Sequence, residues 1–421
     1  MAHLKTLLAL GIVVLLGCPV MASSPHDGLV EYLDGCLARG DRQVVQEMVR
    51  SLEATPLPAT PSHEALIESI HGVLSLRGEE TLAGRVLRVR RARLARTFVR
   101  GLEPIVFPLD HGAHNRCLSE WWYFNGHVTV GGERHGYMIT FFKVFPKLNF
   151  VHAALTNLDT REHVFHRTFH SPKAAAAATG RLDVRFGKDS VREEPDGRFR
   201  LCFTVKGRRL DLLLRPQRAP MMVNGNGLID MPEGTTSRYY SFTRLETVGT
   251  AVWPDGSTRP VEGRSWADHQ WGNFVAFFRP WDWFGLQLDD GTDYNIFEFR
   301  PGVGFAGRCH VNVLGPDGRL EVFEKIAMAR TSWWKSPVSH DLFVTSWALH
   351  VPGSGESFTV TTQVVDQEMP RTAWYDLPPA YWEGAVNVVR SGSTTVSGVG
   401  FSEHFPYRRP VRTRRPLPAT N

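Results

Sequence analysis

The chain has 421 residues, of which 42% are hydrophobic and 22% charged, and its formal net charge is +5. These proportions are those of a globular protein, and they exclude a collagen-like chain and a mainly disordered one. The length indicates two or three domains. Because the net charge is small for this length, we expect no nucleic-acid partner.

The first 22 residues have the pattern of an export signal, with basic residues before an apolar run at residues 7–16 and compact residues at Val20-Met21-Ala22. The mature chain would then begin at Ser23. An alternative interpretation is that Leu15-Leu16-Gly17-Cys18 forms a lipoprotein box in which Cys18 is acylated. We therefore expect an exported protein, periplasmic or extracellular, that is either soluble or anchored to a membrane through Cys18.

Residues 23–103 form the predicted helical N-terminal region. Apolar residues between Leu29 and Leu52 recur at spacings of three, four and seven, which indicates helix. Prolines at residues 56–61 end this pattern, and a second helix is predicted to begin after Ser62. A third, over about residues 79–99, carries most of an arginine-rich segment and presents either a solvated face or a face for anionic lipid.

The composition changes at Trp121, since all twelve tryptophans lie at or after this position. From there, segments rich in Val, Phe, Tyr, Thr and Trp alternate with turns such as Gly131-Gly132. Turns at such regular intervals predict antiparallel β structure. We therefore predict two β domains, at residues 104–250 and 251–407, followed by a basic Pro/Arg tail at residues 408–421.

Metal and cofactor motifs are absent from the sequence. Four cysteines remain after the expected cleavage, namely Cys36, Cys117, Cys202 and Cys309. Their even number permits two disulfides in an oxidising compartment without requiring any, and the pairing stays open. The chain has no phosphate loop or HExxH motif, and no GxGxxG at a strand-to-helix junction. His163, His166 and His170 have ligand-like spacing but point to both faces of a strand, so we expect neither a metal nor a cofactor.

Three segments combine aromatic and ionisable residues densely, at residues 110–127, 263–283 and 381–403. Five motifs follow in order, namely Glu120 to His127, Tyr239 to Leu245, Ser265 to Gly272, Trp281 to Leu288 and Tyr381 to Ala385. In these motifs the sequence resembles the carotenoid 1,2-hydratase (hydroxyneurosporene synthase) family and its secreted lipocalin-like relatives, often labelled predicted secreted hydrolases. The resemblance extends over about residues 105–407.

The resemblance implies a mainly β protein, with two tandem lipocalin-like antiparallel β-barrel domains preceded by a short α-helical N-terminal region. It implies less about the ligand, because a fold hosts many functions. Phe401 and His404-Phe405 depart from the family pattern, which leaves open whether the ligand is a carotenoid. A small barrel can enclose one apolar ligand.

If the segment Ser265–Trp271 is a straight strand, its side chains alternate between two faces. Trp266 and Asp268 share one face, and His269 and Trp271 share the other. We expect His269 and Trp271 to face the cavity and Asp268 to orient a neighbour. The predicted ligand wall is aromatic and consists of Trp122, Trp266, Trp271, Trp281, Trp283, Tyr240 and Trp382.

Hydration of an isolated double bond requires an acid that protonates carbon, surroundings that tolerate a cation, and a base that delivers water. We assign the proton to Asp268 or His269 and the placement of water to Tyr294 or Glu120. Trp271 and Trp283 are expected to flank the cation. The alternative is structural: the tryptophans then pack the core, and Glu120, Asp268 and Glu383 accept hydrogen bonds where a barrel closes.

The sequence therefore predicts an exported lipocalin-like protein that binds an apolar isoprenoid or lipid-like ligand and acts as an alkene hydratase (hydro-lyase) or a hydrolase. The alternative is a non-catalytic periplasmic lipid carrier, or a binding protein associated with a transporter or membrane. The sequence leaves the oligomeric state undefined.

Overall fold

The computed structural model describes residues 25–54, 61–86, 104–115, 117–144, 148–231, 236–274, 280–301, 307–370 and 380–407. The predicted export signal, the basic tail and the arginine-rich residues from 87 onward lie outside these ranges.

The N-terminal region is helical, with helices α1 (Pro25–Ala38), α2 (Arg42–Ala54) and α3 (Pro61–Leu76), and residues 80–86 are also helical. Gly40 separates α1 from α2 with a φ of +80°, a left-handed conformation that favours glycine. Helix α3 begins at Pro61, where the missing N–H costs no hydrogen bond, so Ser62 lies within the helix and is not its cap. None of the described helices is both long enough and apolar enough to span a membrane.

The described strands form two antiparallel sheets. The first contains β1 (Ser119–Val130), β2 (Glu133–Val144), β3 (Leu148–Asn157), β4 (His163–His170), β5 (Ala175–Ala177), β6 (Asp183–Phe186), β7 (Asp189–Glu193), β8 (Phe199–Val205), β9 (Arg208–Pro216), β10 (Met221–Met222), β11 (Leu228–Asp230), β12 (Thr236–Val252) and β13 (Thr258–Gly272). Its order is β4-β3-β2-β1-β13-β12-β9-β8-β7-β6-β5, with β10 and β11 paired to β12. This sheet curls into a nearly closed barrel.

The second sheet contains β14 (Trp281–Leu288), β15 (Asp293–Phe299), β16 (Arg308–Leu314), β17 (Leu320–Phe323), β18 (Ala327–Lys335), β19 (Leu342–Val351), β20 (Glu356–Thr362), β21 (Glu368–Met369), β22 (Tyr381–Arg390) and β23 (Gly398–His404). Its order is β17-β16-β15-β14-β23-β22-β20-β19-β18, with β21 paired to β22. It forms a half-barrel. The predicted mainly β architecture with short N-terminal helices is therefore confirmed.

Burial differs between the strands in a way that positions the site. In β8, buried and partly buried residues alternate, as expected when one face lies in the barrel and the other is nearer solvent. Most of β1 and the second half of β13 are buried on both faces. These two strands have the barrel interior on one side and the second sheet on the other, so each can present functional side chains in two places.

The chain passes from the first sheet to the second between Gly272 and Trp281, whereas the sequence places the division at 250–251. Strand β13 belongs to the first sheet because it pairs with both β1 and β12. The sheets are tied by an ion pair, with Arg244 Nη2 2.8 Å from Asp293 Oδ1. They also approach closely at Gly136, where a Cβ would lie 3.1 Å from that of Ala385.

Candidate active site

Two rows of side chains face each other where the sheets meet. One row crosses the first sheet from β2 to β12 and consists of Thr140, Tyr123, Asp268 and Ser241. The other crosses the second sheet from β15 to β22 and consists of Phe297, Trp283, Glu403 and Glu383. All of these except Ser241 line one pocket, which has about 750 Å³ of space, part of it open to solvent.

The carboxyl group of Asp268 is held by three donors. The Tyr239 hydroxyl donates to Oδ2 at 2.5 Å, while the Ser241 hydroxyl and Trp266 Nε1 each donate to Oδ1 at 2.6 Å. Tyr239 itself accepts hydrogen bonds from Trp283 Nε1 and Asn295 Nδ2, both at 3.0 Å. Since these occupy both lone pairs of its oxygen, Tyr239 must donate its proton to Asp268.

Three carboxyl groups of the pocket favour their protonated forms. Burial raises the pKa of Asp268 to about 7, although the three hydrogen bonds oppose this shift. Burial also raises the pKa of Glu403 to about 8, and the charge of Asp268 adds to the effect. The pKa of Glu383 lies well above its usual value, because of burial and the charge of Glu403. Near neutral pH the pocket therefore offers carboxylic acids as proton donors.

The remaining pocket wall is mostly aromatic. It is formed by Trp121, Phe142, Tyr239, Phe274, Trp281, Phe299 and Tyr381, together with Met231 and Gln270. Trp281 also hydrogen-bonds to Glu403, which opposes the effect of burial on the pKa of that carboxyl. Apolar walls around a few fixed polar groups are typical of a site for an apolar small molecule.

A second group of polar residues lies inside the first barrel, on the opposite face of β13. We call Asp110, His114, Glu120 and His269 the barrel cluster. The two ring nitrogens of His114 lie 2.7 Å from Glu120 Oε1 and 3.0 Å from Asp110 Oδ1. His269 Nε2 lies 3.2 Å from Glu120 Oε1, and Lys143 Nζ lies 3.5 Å from Glu120 Oε2.

Hydrogen bonds within the barrel cluster shift the pKa values of its members. Burial opposes the charge of Glu120, but the bonds from His114 and His269 outweigh it and lower the pKa of Glu120 to about 2. For His114, the bonds to Asp110 and Glu120 likewise outweigh burial and raise its pKa. Burial lowers the pKa of His269. The surroundings thus favour the carboxylate form of Glu120, the protonated form of His114 and the neutral form of His269.

Aromatic residues enclose the barrel cluster. Trp271 stacks on His114 with ring centroids 4.0 Å apart, and Trp122 stacks on His269 at 4.8 Å. The Tyr240 hydroxyl lies 3.1 Å from His269 Nδ1 and 2.7 Å from His111 Nδ1. Every side chain of the cluster is thereby fixed in orientation, which is the property of a rigid core element.

The donor atoms of His114, Glu120 and His269 lie within 4.8 Å of one another, so among the described residues this set has the spacing for a metal ion. In this structure the same atoms are engaged with each other and with Asp110. No disulfide joins the described cysteines.

The structure separates the residues that the sequence groups into one site. Asp268, Trp281 and Trp283 line the pocket. Trp266 does not line it but donates a hydrogen bond to Asp268. Glu120, Trp122, Tyr240, His269 and Trp271 belong to the barrel interior. Tyr294 and Trp382 lie in the core of the second sheet, apart from both groups. His269 and Trp271, which the sequence predicts to face a cavity, face the barrel interior, whereas the face of β13 that reaches the pocket between the sheets carries Asp268 and Gln270.

Sequence patterns alone assign no role to Tyr123, Tyr239, Tyr381 and Glu403, and they give Glu383 only a structural one. All five residues line the pocket and lie within the motifs or the aromatic-rich segments of the sequence. Tyr239 and Ser241 share a face of β12, just as Tyr381 and Glu383 share a face of β22. This alternation of side chains is visible in the sequence and could have grouped these residues. Which of the two faces meets the other sheet is shown only by the pairing of the strands.

Residues 99–407 match the family model described as AttH-like. This chain belongs to the AttH-like family. The membership agrees with the resemblance to carotenoid hydratases found in the sequence motifs. No curated protein sequence matches the chain significantly.

Two solved structures are similar to this AttH-like chain. A protein assigned as AttH from Nitrosomonas europaea is 26% identical, with a TM-score of 0.65; the match covers 73% of this chain and 98% of that one. Kievitone hydratase from Nectria haematococca is 17% identical, with a TM-score of 0.60, and the match covers 74% of this chain and 95% of that one. The second likeness shows a common fold.

Proposed function

We propose that this protein is an exported hydratase that adds water to an isolated carbon–carbon double bond of an apolar, isoprenoid or lipid-like ligand in the pocket between the sheets. The observation that carries the proposal is Asp268, a carboxyl group inside an aromatic wall whose pKa is raised by burial to about 7. The name of kievitone hydratase, which shares the fold, states that this relative is a hydratase.

Asp268 supplies the proton in this mechanism. Its O–H bond breaks, a new C–H bond forms at one end of the alkene, and the other end becomes a tertiary cation. The hydrogen bonds from Tyr239, Ser241 and Trp266 stabilise the carboxylate that remains. Burial thus retains the proton before the reaction, and the three donors promote its departure during it.

The pocket wall favours the cation and the placement of water. The faces of Trp281 and Trp283 can each stabilise a desolvated cation by about 2 kcal/mol. Glu383 and Glu403 lie opposite each other on neighbouring strands and, as acids, hold water by donating and accepting hydrogen bonds. Water forms the new C–O bond, and the proton it loses returns to the carboxylate of Asp268.

The pH dependence of hydration tests the role of Asp268. Because the acid form is required, the rate should fall as pH rises through about 7, the pKa of Asp268. Tyr239→Phe removes a donor that stabilises the carboxylate, so the fall should move to higher pH and the maximal rate should drop. The measurement is a pH profile of turnover, with the alkene extracted from purified Asp268→Asn protein as substrate.

Tyr137→Phe is the matched control for that profile. Tyr137 is another buried tyrosine of the first barrel, and its hydroxyl lies 2.6 Å from Ser265 Oγ, away from Asp268. Its removal should leave the profile in place. A rate that is constant from pH 6 to 9, or an equal shift in both variants, would exclude Asp268 as the acid.

Export is the second part of the proposal and rests on the N-terminal sequence. N-terminal sequencing of protein recovered outside the cytoplasm should begin at Ser23. Recovery of an acylated Cys18 would instead establish the lipid anchor, and an intact Met1 would contradict export.

A further inference from the structure

Tyr381 lines the pocket, and its hydroxyl is hydrogen-bonded to a side chain that does not line it. It lies at the start of β22, on the wall that also carries Trp121 and Phe142. Its oxygen lies 2.5 Å from His152 Nδ1, and the two rings are stacked with centroids 5.7 Å apart. Arg167 Nε donates to the other ring nitrogen, His152 Nε2, at 2.7 Å. These three side chains form a line that ends at the pocket.

The direction of each hydrogen bond in this line follows from the arginine. A guanidinium can only donate, so His152 Nε2 must accept. His152 is neutral, because burial and the charge of Arg167 hold its pKa well below the usual value. A neutral imidazole that accepts at Nε2 carries its proton at Nδ1. His152 therefore donates to the oxygen of Tyr381.

The hydroxyl proton of Tyr381 is therefore available to an acceptor other than His152. The hydroxyl stays protonated, since burial raises the pKa of Tyr381 well above its usual value. Among the described residues, none accepts a hydrogen bond from this hydroxyl. Because a buried donor without a partner costs about 1–3 kcal/mol, an acceptor supplied by a ligand is strongly favoured at this position.

We infer that Tyr381 donates a hydrogen bond to an oxygen atom of the ligand, so that the preferred ligand is an oxygenated isoprenoid, such as a ketone, and not a pure hydrocarbon. This inference rests on the proposed function only in taking this pocket as the ligand site. Arg167 and His152 act as positioning residues, because they set the direction in which Tyr381 donates.

The strand geometry also separates the two polar side chains of β22 that line the pocket. Tyr381 and Glu383 lie two residues apart on the same face of β22, which separates their Cα atoms by ~7 Å. In the proposed reaction, Glu383 holds water beside the double bond. The oxygen atom of the ligand is therefore expected several bonds away from that double bond.

A pair of matched probes tests the inference through binding alone. Geranylacetone is an isoprenoid ketone, and its hydrocarbon analogue lacks only the carbonyl oxygen. Quenching of tryptophan fluorescence, with Trp121, Trp281 and Trp283 in the pocket wall, reports the affinity of each. The protein should bind the ketone about tenfold more tightly, and Tyr381→Phe should remove this preference while leaving the affinity for the hydrocarbon unchanged.

Variants at Arg167 test the positioning step without altering the described pocket wall. In Arg167→Met, His152 Nε2 loses its fixed donor, so the imidazole can move its proton to Nε2 and accept from Tyr381. The preference for the ketone should then fall to about threefold, and Arg167→Lys, which retains a cationic donor, should restore most of it. A purely structural role of Arg167 would instead weaken the binding of both probes equally.

Three outcomes overturn the inference: equal affinity for the two probes, a preference that persists in Tyr381→Phe, or the absence of binding by either probe. Asp268→Asn separates this inference from the proposed reaction. If the variant keeps the preference for the ketone and turnover proves independent of Asp268, the hydratase mechanism fails while the inference about Tyr381 stands.

Discussion

Asp268→Asn is expected to lower turnover about a thousandfold while the affinity for the alkene stays within about twofold. The amide cannot donate a proton to carbon, yet it is nearly the same size as the carboxyl group, so the pocket wall keeps its shape. The amide oxygen still accepts from Ser241 and Trp266, and only the hydrogen bond from the Tyr239 hydroxyl is lost to the amide N–H2. The loss should therefore appear in kcat and not in ligand binding.

Turnover and binding are measured on the same protein preparations, with the alkene extracted from the Asp268→Asn protein as substrate. Asp317→Asn, in an exposed turn of the second sheet, is the matched control. It should leave both quantities unchanged. Turnover within about threefold of wild type in Asp268→Asn would show that another group protonates the alkene.

Glu120→Gln is expected to destabilise the fold by about 3–5 kcal/mol, because it leaves the cationic His114 and Lys143 without their shared carboxylate in a buried position. The effect depends on pH. Glu120 has a lowered pKa of about 2, so its stabilising contribution is present above its unfolded pKa and is lost as pH falls through 2.

His114 has the opposite dependence. Since its pKa is raised, its contribution is complete below the unfolded pKa of about 6.5 and is lost as pH rises through the folded value. Both contributions are present near pH 5.5, where the destabilisation should be largest. Urea unfolding at that pH measures it, with Glu262→Gln, an exposed position of β13, as the control. A loss below about 1 kcal/mol would contradict the charge assignment.

The two variants address opposite faces of one strand. Asp268 faces the pocket, and the next residue, His269, is held by Glu120 in the barrel. Strand β13 is thereby fixed from both sides, and the carboxyl group of Asp268 is fixed with it. The barrel cluster supports the site in this account, although none of its four residues lines the pocket between the sheets.

The sequence predicts the fold well because its signals are local. The turn at Gly131-Gly132 and the alternation in strands such as β8 depend only on neighbouring residues. The export signal is also a local pattern, but it lies outside the described residues and stays a prediction.

The candidate site is only partly predictable, since its composition depends on contacts distant in the sequence. The alternation of Trp266, Asp268, His269 and Trp271 is correctly predicted, yet it does not tell which face meets the second sheet. Likewise, Glu383 and Glu403 become neighbours only through the pairing of β22 with β23. Tyr294 and Trp382 are residue types that are common in ligand sites, but their side chains lie on the faces of β15 and β22 that pack in the core of the second sheet.

The most direct test of the proposed reaction compares what the protein carries when it is purified. Wild-type protein and Asp268→Asn are each extracted with organic solvent, and the extracts are analysed by mass spectrometry. We expect an oxygenated isoprenoid in both, with the compound from Asp268→Asn lighter by one water because its double bond has not been hydrated. The same unhydrated compound in both extracts would indicate a carrier without catalysis, and empty extracts would contradict the pocket as a ligand site.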